Sequence, residues 1–352
     1  MLLFSRSKLR IVFSLLVLPF LAFLPGSGPP PRFAPIHPLH MQIHTPTVYY
    51  GVHVPGWLNN LSAVTAFEQD ANKPVSIVMW YQGWALNDGT QNFEPTWMDN
   101  VRDHGSIPMV TWEPWNYTQG IYQPAYSLAN IIVGHFDSYI TQWALASKAW
   151  RHPYFLRFAA EMNGNWYPWS EQVNGNGPGQ YVQAFRHVHD IFTALGVTNV
   201  TWVWSPNVEY NGSTPLSELY PGPSYVDWIG MDGYNWSTVQ GHQWQTFFQV
   251  FDQTYNDIRS MSTGKPLMVA ETASADIGGN KAAWIIDAYT NQIPNVFPAI
   301  RAVIWFNENK ETDWRIESSK NTQTAFDQAV ASRVYASKKF ANLNAVPVPV
   351  PS

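Results

Sequence analysis

The chain has 352 residues, a formal net charge of −5 and no cysteine. This length can bury a large core in one domain, the acidic balance argues against a nucleic-acid-binding protein, and the lack of cysteine excludes disulfide, thiol and zinc-thiolate chemistry. Only 13% of the residues are charged, whereas 18 Trp, 17 Tyr and 19 Phe are more aromatic side chains than a core needs. Such a surface suits a neutral polysaccharide as partner.

The N-terminal part of the sequence predicts an export segment followed by a linker. Three basic residues between positions 6 and 10 precede an apolar stretch from Ile11 to Leu24, which is short for a membrane span and typical of a signal peptide. We expect residues 1–24 to be a signal peptide or a retained N-terminal anchor, and the protein to be secreted. Contact with a membrane is expected only if residues 1–24 are retained. Residues 25–46, rich in Pro and His, predict an unstructured linker. Residues 336–352, ending in VPVPVPS, predict a C-terminal tail of polyproline type.

Between these segments, short apolar runs alternate with helical patterns. In the stretch Gln180–Leu195, for example, apolar residues recur at helical spacing and Gly196 is expected to end the helix. Strands that alternate with helices indicate a parallel α/β sheet, and we predict a single (β/α)8 TIM barrel over residues 47–335. The eight predicted strands are Val48–Val52, Val75–Trp80, Ile107–Trp112, Tyr154–Ala159, Val200–Trp204, Val226–Met231, Leu267–Ala270 and Ala302–Phe306.

Polar and aromatic residues follow directly on several of these strands. In a TIM barrel the C-terminal ends of all strands share one rim, so these residues are expected to converge on one cleft. The residues at these ends include Trp112, Glu113, Trp204, Asp232, Tyr234, Trp236 and Trp305.

The fourth predicted strand leads into the most informative segment, RFAAEMNGNWYPW from Arg157 to Trp169. Strand alternation places Arg157 and Glu161 on the same side, and two such charges on an apolar strand are costly unless they are paired or used. The Asn and Trp residues that follow offer amides for sugar hydroxyls and flat faces for sugar rings. The segment therefore indicates a glycoside hydrolase site.

A second carboxylate is needed, because this hydrolysis uses one Asp or Glu as acid/base and another as nucleophile or base. The stretch KPLMVAETAS supplies Glu271 at the end of the seventh predicted strand, which is where barrel enzymes keep their catalytic groups. The Arg157 guanidinium is a candidate to hold the Glu271 carboxylate ionised and oriented.

These two motifs resemble those of glycoside hydrolase family 26, the β-mannanases with some mixed-linkage β-glucanases and β-1,3-xylanases. The family pattern R-x-x-H-E-M-N-G-x-W-Y-P-W is matched at Arg157, Glu161, Met162, Asn163, Gly164, Trp166, Tyr167, Pro168 and Trp169, but Ala160 stands where the family usually has His. The resemblance covers residues 48–335. It implies a retaining mechanism on a β-linked polysaccharide, most often β-1,4-mannan, and the departure at Ala160 bears on substrate preference.

The resemblance also assigns roles to individual residues. It implies that Glu161 is the acid/base, that Glu271 is the nucleophile, that Tyr234 hydrogen-bonds the nucleophile, and that Trp305 forms the floor of the cleaved-sugar subsite. With these we expect a set of substrate-binding residues at the strand ends: Asn163, Trp166, Trp112, Glu113, Trp204, Asp232, Trp236 and Trp305.

Each assignment has an alternative. Glu161 could be only the ion-pair partner of Arg157, Glu113 and Asp232 could support rather than bind, and any single Trp could be core packing. Mixed-linkage β-1,3-1,4-glucan (lichenan) is an alternative substrate, and a non-catalytic carbohydrate-binding barrel is an alternative of another class. His187 and His189 lack the partner spacing of a metal site, and no phosphate loop or dinucleotide fingerprint occurs. We therefore expect no cofactor, no metal and a monomer.

Overall fold

The computed structural model describes residues 47–351 apart from 57, 88, 262–263, 339, 341–342 and 344–345. The predicted signal segment 1–24 and linker 25–46 lie outside the described residues. No helix in the described part of the chain is long and apolar enough to cross a membrane.

The core of the fold is a closed barrel of eight parallel strands. Their order around the barrel is β1-β2-β4-β5-β6-β7-β8-β9, and β9 pairs back onto β1. Two short strands lie outside the barrel, since β3 pairs antiparallel with β2 and β10 extends the sheet beside β1. The strands are β1 Val48–His53, β2 Ile77–Leu86, β3 Gly89–Thr90, β4 Ile107–Asn116, β5 Tyr154–Phe158, β6 Val200–Trp204, β7 Trp228–Asn235, β8 Leu267–Ser274, β9 Ile300–Phe306 and β10 Tyr335–Ala336.

Helices surround the barrel, which confirms the predicted (β/α)8 TIM fold. The predicted helix from Gln180 ends where Gly196 takes a left-handed φ of 65°. The helices are α1 Ser62–Ala71, α2 Pro95–Asp103, α3 Leu128–Ile132, α4 Asp137–Trp150, α5 Gln180–Ala194, α6 Leu216–Leu219, α7 Phe247–Ser260, α8 Lys281–Asp287 and α9 Lys320–Val330. A π-helical stretch, Ala288–Val296, continues α8.

The strands separate two apolar cores, because successive side chains point to opposite faces. One core fills the barrel interior and includes Met109, Phe155, Val203 and Ile304. The larger core lies between the barrel and the helices. Both faces of each strand are thus covered, which explains why the strands read as nearly continuous apolar runs.

The described part of the C-terminal segment packs against the barrel. The backbone of Val348 accepts a hydrogen bond from the Trp228 indole at 2.8 Å and donates one to the Thr201 hydroxyl at 2.7 Å. Val348 is buried and belongs to the core of the barrel interior. Arg301 also donates to the carbonyl of Pro351 at 2.6 Å. These residues therefore help to close the barrel where β6 and β7 begin.

Several strands run further toward their C-terminal ends than the sequence predicts, whereas β9 begins two residues earlier, at Ile300. β2, β4, β7 and β8 each continue past the predicted end, so that Glu113, Tyr234 and Glu271 lie within strands rather than in loops. Groups held on strands are positioned more rigidly than groups on loops.

Candidate active site

A cleft of about 1220 Å3 opens at the C-terminal ends of the strands. Glu161 and Glu271 both line it, together with Glu113, Trp166 and Trp236. This is the rim at which barrels of this type build their sites. The structure therefore brings the two predicted catalytic carboxylates into one cavity.

Arg157 lies beneath the cleft, in the barrel interior, and is fully buried. Its Nη1 donates to the hydroxyl of Thr111 at 3.0 Å and to Oε1 of Glu271 at 2.5 Å, and its Nη2 donates to Asp232. A buried guanidinium needs compensation of its charge. Here two carboxylates from different strands supply that compensation.

Glu271 is held on both oxygens. Arg157 contacts Oε1, and the hydroxyl of Tyr234 donates to Oε2 at 2.6 Å. Burial by itself raises the pKa of a carboxyl group, but the charge of Arg157 and the hydrogen bonds of Tyr234, Tyr81 and Arg157 outweigh it, so the pKa of Glu271 lies below its ordinary value. Glu271 is thus ionised and oriented.

A backbone irregularity turns Glu271 into the cleft. The register of β8 shifts against β9 between Val269 and Thr272, and against β7 beside Asp232. Such bulges re-aim side chains near active sites. Met268 and Ala270 point into the barrel, so regular alternation would turn position 271 away from the interior. Because of the bulge, Glu271 points inward as well.

Glu161 follows β5 in an unusual backbone conformation. The strand ends at Phe158, and Ala159 and Glu161 adopt left-handed φ angles of 48° and 56°. The expected alternation of Arg157 with Glu161 along one strand is therefore wrong, because the strand does not reach position 161. The amide of Glu161 donates to the carbonyl of Ser205 at 2.8 Å, which fixes this strained turn against β6. Strained residues of this kind cluster at functional sites.

The pKa of the Glu161 carboxyl group is shifted in the opposite direction to that of Glu271. Burial and the negative charge of Glu271 raise the pKa of Glu161 to about 7, although Arg157 and the indole N–H of Trp166 pull it down. That indole donates to Oε2 of Glu161 at 2.7 Å. Near neutral pH a large fraction of Glu161 is therefore protonated and can donate a proton.

Glu113 is a third buried carboxyl group in the cleft. Burial raises its pKa to about 7, with the Trp115 indole, which donates at 3.1 Å, lowering it in part. It lies on the interior face of β4, two residues beyond Thr111. Glu113 lines the cleft, and its role in substrate binding stays a prediction.

Three of the expected substrate-binding tryptophans lie outside the cleft. Trp112 stacks on Trp143 of α4, Trp204 meets Tyr220 edge-on, and Trp305 packs on Phe326 of α9. All three are fully buried in the core between barrel and helices. The expectation that they line the cleft is thus wrong, because strand alternation sends them outward when their neighbours point inward.

Two further expected substrate contacts have structural partners instead. Asp232 is fully buried, pairs with Arg157 and accepts a hydrogen bond from Ser205 at 3.0 Å. Asn163 is also buried, and its amide exchanges hydrogen bonds with the backbone of Asn207 at 2.9 Å in each direction. Both residues support the site from behind the cleft wall, so the expectation of direct sugar contact is corrected. Ala160 is buried beside Glu161, and its carbonyl accepts from the Trp169 indole at 2.7 Å.

Sequence reasoning missed several aromatic residues that do line the cleft. Strand alternation identifies Phe306 and Tyr81, because they continue the interior positions Ile304 and Met79. Trp314 has no such signal, since it lies in the loop after β9, where Trp305 donates to its carbonyl at 3.1 Å. The missed residues include Tyr81, Tyr210, Phe306 and Trp314.

The described residues hold no group of three His, Asp or Glu side chains arranged to bind a metal ion. The carboxyl groups of the cleft can perform proton transfer and nucleophilic attack.

Comparison with known proteins identifies the family. The sequence profile described as glycosyl hydrolase family 26 matches residues 43–324. The chain belongs to glycosyl hydrolase family 26. It is also 41% identical over 293 residues to endoglucanase H of Acetivibrio thermocellus, which covers 80% of this chain and 31% of that protein. A mannan endo-1,4-β-mannosidase of Bacillus subtilis is 26% identical over 155 residues, 42% of this chain and 37% of that protein. The chain thus spans about a third of the length of these two relatives.

Solved structures of the family share the fold of this chain. The catalytic domain of a family 26 endo-β-1,4-mannanase from Bacillus sp. JAMB-750 superposes with a TM-score of 0.63 at 18% identity, covering 84% of this chain and 88% of that one. A family 26 β-mannanase from Bacteroides ovatus gives a TM-score of 0.61 at 17% identity, covering 86% and 93%. At sequence identities this low, the structural similarity shows that the barrel fold is shared.

Proposed function

We propose that this family 26 chain is an endo-acting, retaining glycoside hydrolase that cleaves a β-linked polysaccharide. One observation carries the proposal. Two buried carboxyl groups share the cleft, and their pKa values are displaced in opposite directions, below the ordinary value for Glu271 and to about 7 for Glu161. Pairs of carboxyl groups with divided pKa values are how one site performs acid and nucleophilic chemistry together.

In the first half of the proposed reaction, ionised Glu271 attacks the anomeric carbon and forms a glycosyl ester. The bond from that carbon to the leaving oxygen breaks, and Glu161 transfers its proton to this oxygen. Arg157 and Tyr234 orient Glu271 during the attack through the contacts at 2.5 and 2.6 Å. The leaving part of the chain departs as an alcohol.

In the second half, Glu161 acts as a base. Formation of the ester removes the negative charge of Glu271, which had raised the pKa of Glu161, so this pKa falls. Ionised Glu161 then takes a proton from water, and the oxygen of that water attacks the anomeric carbon. The ester bond breaks, Glu271 is again a carboxylate, and the sugar is released with its original anomeric configuration.

The substrate we propose first is β-1,4-mannan, the commonest target of the family. Relatives whose names give a mannan endo-1,4-β-mannosidase support this choice, as do the folds of solved mannanases. The cleft suits a neutral sugar chain, because aromatic side chains such as Trp166, Tyr167 and Trp236 line it beside the carboxyl groups.

Mixed-linkage β-1,3-1,4-glucan is the second candidate, and one specific observation favours it. The relative that matches over 80% of this chain at 41% identity is named an endoglucanase, whereas the curated mannanases match over less than half of the chain. Ala160 also departs from the His that is usual beside the acid/base.

A reducing-sugar assay on a panel of polysaccharides tests the proposal. The panel contains mannan, galactomannan, barley β-glucan, lichenan, β-1,3-xylan and carboxymethylcellulose. We expect cleavage of mannan, or of the two mixed-linkage glucans if the second candidate holds, with a fast fall in viscosity that marks internal cleavage. Loss of all activity in Glu271→Ala is the control. A wild-type chain that cleaves none of these would contradict the proposed function.

A further inference from the structure

A second groove adjoins the cleft at the N-terminal end of α7. Its volume is about 500 Å3, and two of its residues, Gln245 and Gln249, also line the cleft. The two depressions therefore share part of their walls. We call this feature the glutamine groove, defined by Gln243, Trp244, Gln245, Phe248, Gln249, Asp252 and Gln253.

The side-chain amides of the groove are available to a ligand. Within the described part of the chain, the side-chain amides of Gln243, Gln245 and Gln253 make no hydrogen bond. Gln249 uses only its oxygen, which accepts from the amide of Thr246 at 2.9 Å. Each free amide offers two N–H donors and one carbonyl acceptor. Such groups match hydroxyls that both donate and accept, as those of a sugar do.

The backbone that carries these amides is held firmly. The amide N–H of Gln245 donates to Asn235 Oδ1 at 2.9 Å, and its carbonyl accepts from the Trp284 indole at 3.0 Å. Thr246 and Gln249 form a complete capping box at the start of α7. The groove thus combines a fixed backbone with side-chain amides that are free to form hydrogen bonds with a ligand.

Aromatic faces accompany the amides. Trp244 lies flat against Gly279, where a Cβ atom would come within 2.3 Å of the indole, so only glycine permits this packing. Phe248 is 41% exposed at the surface. Large apolar faces of this kind suit the C–H faces of sugar rings, and Phe248 also packs on Phe297 at 5.9 Å.

An aromatic path joins the groove to the catalytic carboxylates. Trp314 packs 5.1 Å from Tyr234, the residue that binds Glu271, and 5.1 Å from Trp236. Trp236 in turn stacks on His242 at 5.3 Å, and His242 directly precedes the groove residue Gln243. Trp314 is buried, so the part of this path that a bound chain would meet is Trp236 and His242, which both line the cleft.

The groove suits an uncharged ligand. Its one ionisable residue is Asp252, and this carboxylate already accepts a hydrogen bond from Asn256 at 2.9 Å. An anionic polymer would meet no cation among the residues of the groove. A neutral chain of hydroxylated rings matches both the amides and the aromatic faces.

We propose that the glutamine groove is a distal binding site for the same neutral β-linked polysaccharide chain that the cleft cleaves. This inference rests on the proposed function. The groove adds affinity for long chains, and it does not touch the sugars at the scissile bond.

The triple variant Gln243→Ala, Phe248→Ala, Gln253→Ala tests the inference, because these three residues lie in the groove and outside the cleft. We expect the KM for the polysaccharide that the wild type cleaves best to rise roughly fivefold, the change that about 1 kcal/mol of lost binding produces. We expect kcat/KM on a short aryl β-glycoside to stay unchanged. The matched control, Gln142→Ala, Leu145→Ala, Gln183→Ala, removes the same kinds of exposed side chain from α4 and α5 and should change neither.

A binding measurement separates this inference from the proposed function. In the Glu271→Ala background, affinity electrophoresis in gels that contain the polysaccharide should show weaker retardation of the triple variant than of the control. If the wild type cleaves polysaccharide and the triple variant matches it in KM and retardation, the inference is overturned and the proposed function stands. An equal loss on the aryl glycoside would also overturn it. A wild-type chain that neither binds nor cleaves any polysaccharide would overturn both.

Discussion

Nη1 of Arg157 on β5 donates to Oε1 of Glu271 on β8 at 2.5 Å, across the interior of the barrel. The two residues are 114 positions apart in the sequence, so only the closed barrel brings them together. The contact holds Glu271 ionised in a buried site, which allows the neighbouring Glu161 to keep its proton. The division of roles between the two glutamates therefore depends on a cation that lies outside the cleft.

Replacement of Arg157 by Met should damage both the fold and the chemistry. Removal of one partner of a buried ion pair leaves uncompensated charge and costs about 3–5 kcal/mol, here on Glu271 and Asp232. Denaturant unfolding should show this loss. In the matched variant Arg315→Ala, a partly exposed ion pair with Asp313 is removed, and we expect a loss of only about 0–1 kcal/mol. Equal losses in the two variants would contradict the role given to Arg157.

The pH dependence of kcat/KM should have an alkaline limb near pH 7. Glu161 must be protonated in the free enzyme to act as an acid, and its pKa is raised to about 7, so activity should fall as the pH rises through this value. The acidic limb should lie below pH 4.5, because the pKa of Glu271 is lowered from that value and only its ionised form attacks. Rates measured from pH 3 to pH 9 test both limbs.

Trp166→Phe should move the alkaline limb upward. The indole N–H stabilises ionised Glu161 at 2.7 Å and so lowers the pKa of this carboxyl group. Its removal should raise that pKa. Glu113→Gln is the control, because Glu113 also has a pKa of about 7, and the limb should persist in this variant. If the alkaline limb disappears in Glu113→Gln, then Glu113 and not Glu161 is the group that causes it.

The two glutamates should respond differently to the leaving group. Glu161→Ala should lower kcat/KM on the polysaccharide by about 10²–10⁴-fold, the usual contribution of a general acid. The same substitution should lower kcat/KM much less on aryl glycosides, whose leaving groups need no proton. Glu271→Ala should abolish both activities. The same sensitivity to the leaving group in both variants would refute the assigned roles.

Two tryptophans that sequence reasoning grouped together should separate by experiment. Trp236 lines the cleft, so Trp236→Ala should raise KM roughly fivefold, as loss of about 1 kcal/mol of aromatic contact does. Trp204 is fully buried on the outer face of β6. Trp204→Ala should leave KM unchanged and lower the free energy of unfolding by about 3–5 kcal/mol. A KM effect in Trp204→Ala would contradict its placement.

The contrast between these tryptophans shows what the sequence could and could not predict. The barrel follows from apolar runs that alternate with helical patterns, and Glu161 and Glu271 follow from motifs at strand ends. Strand alternation, applied strictly, excludes Trp112 once Glu113 faces the cleft, and Trp305 once Phe306 does. Consecutive residues of a regular strand, without a bulge, point to opposite faces.

Other features depend on geometry that no local pattern encodes. The bulge that turns Glu271 inward lies at a register shift between strands, and the left-handed backbone at Ala159 and Glu161 lies in the turn after β5. Trp314 reaches the cleft from a loop, eight residues after Phe306, and its place is fixed by neighbours distant in sequence, such as Tyr234. Such positions become visible only once the barrel has closed.

The stereochemistry of the first product tests the central claim most directly, namely that Glu271 attacks the anomeric carbon and Glu161 supplies and recovers the proton. Proton NMR of fresh hydrolysate, recorded before mutarotation, resolves the two anomers of the new reducing end. Attack by Glu271 followed by attack of water inverts the carbon twice, so the account predicts that the β-anomer appears first. Initial appearance of the α-anomer would mean direct attack by water and would contradict the mechanism, even for a chain that cleaves polysaccharide.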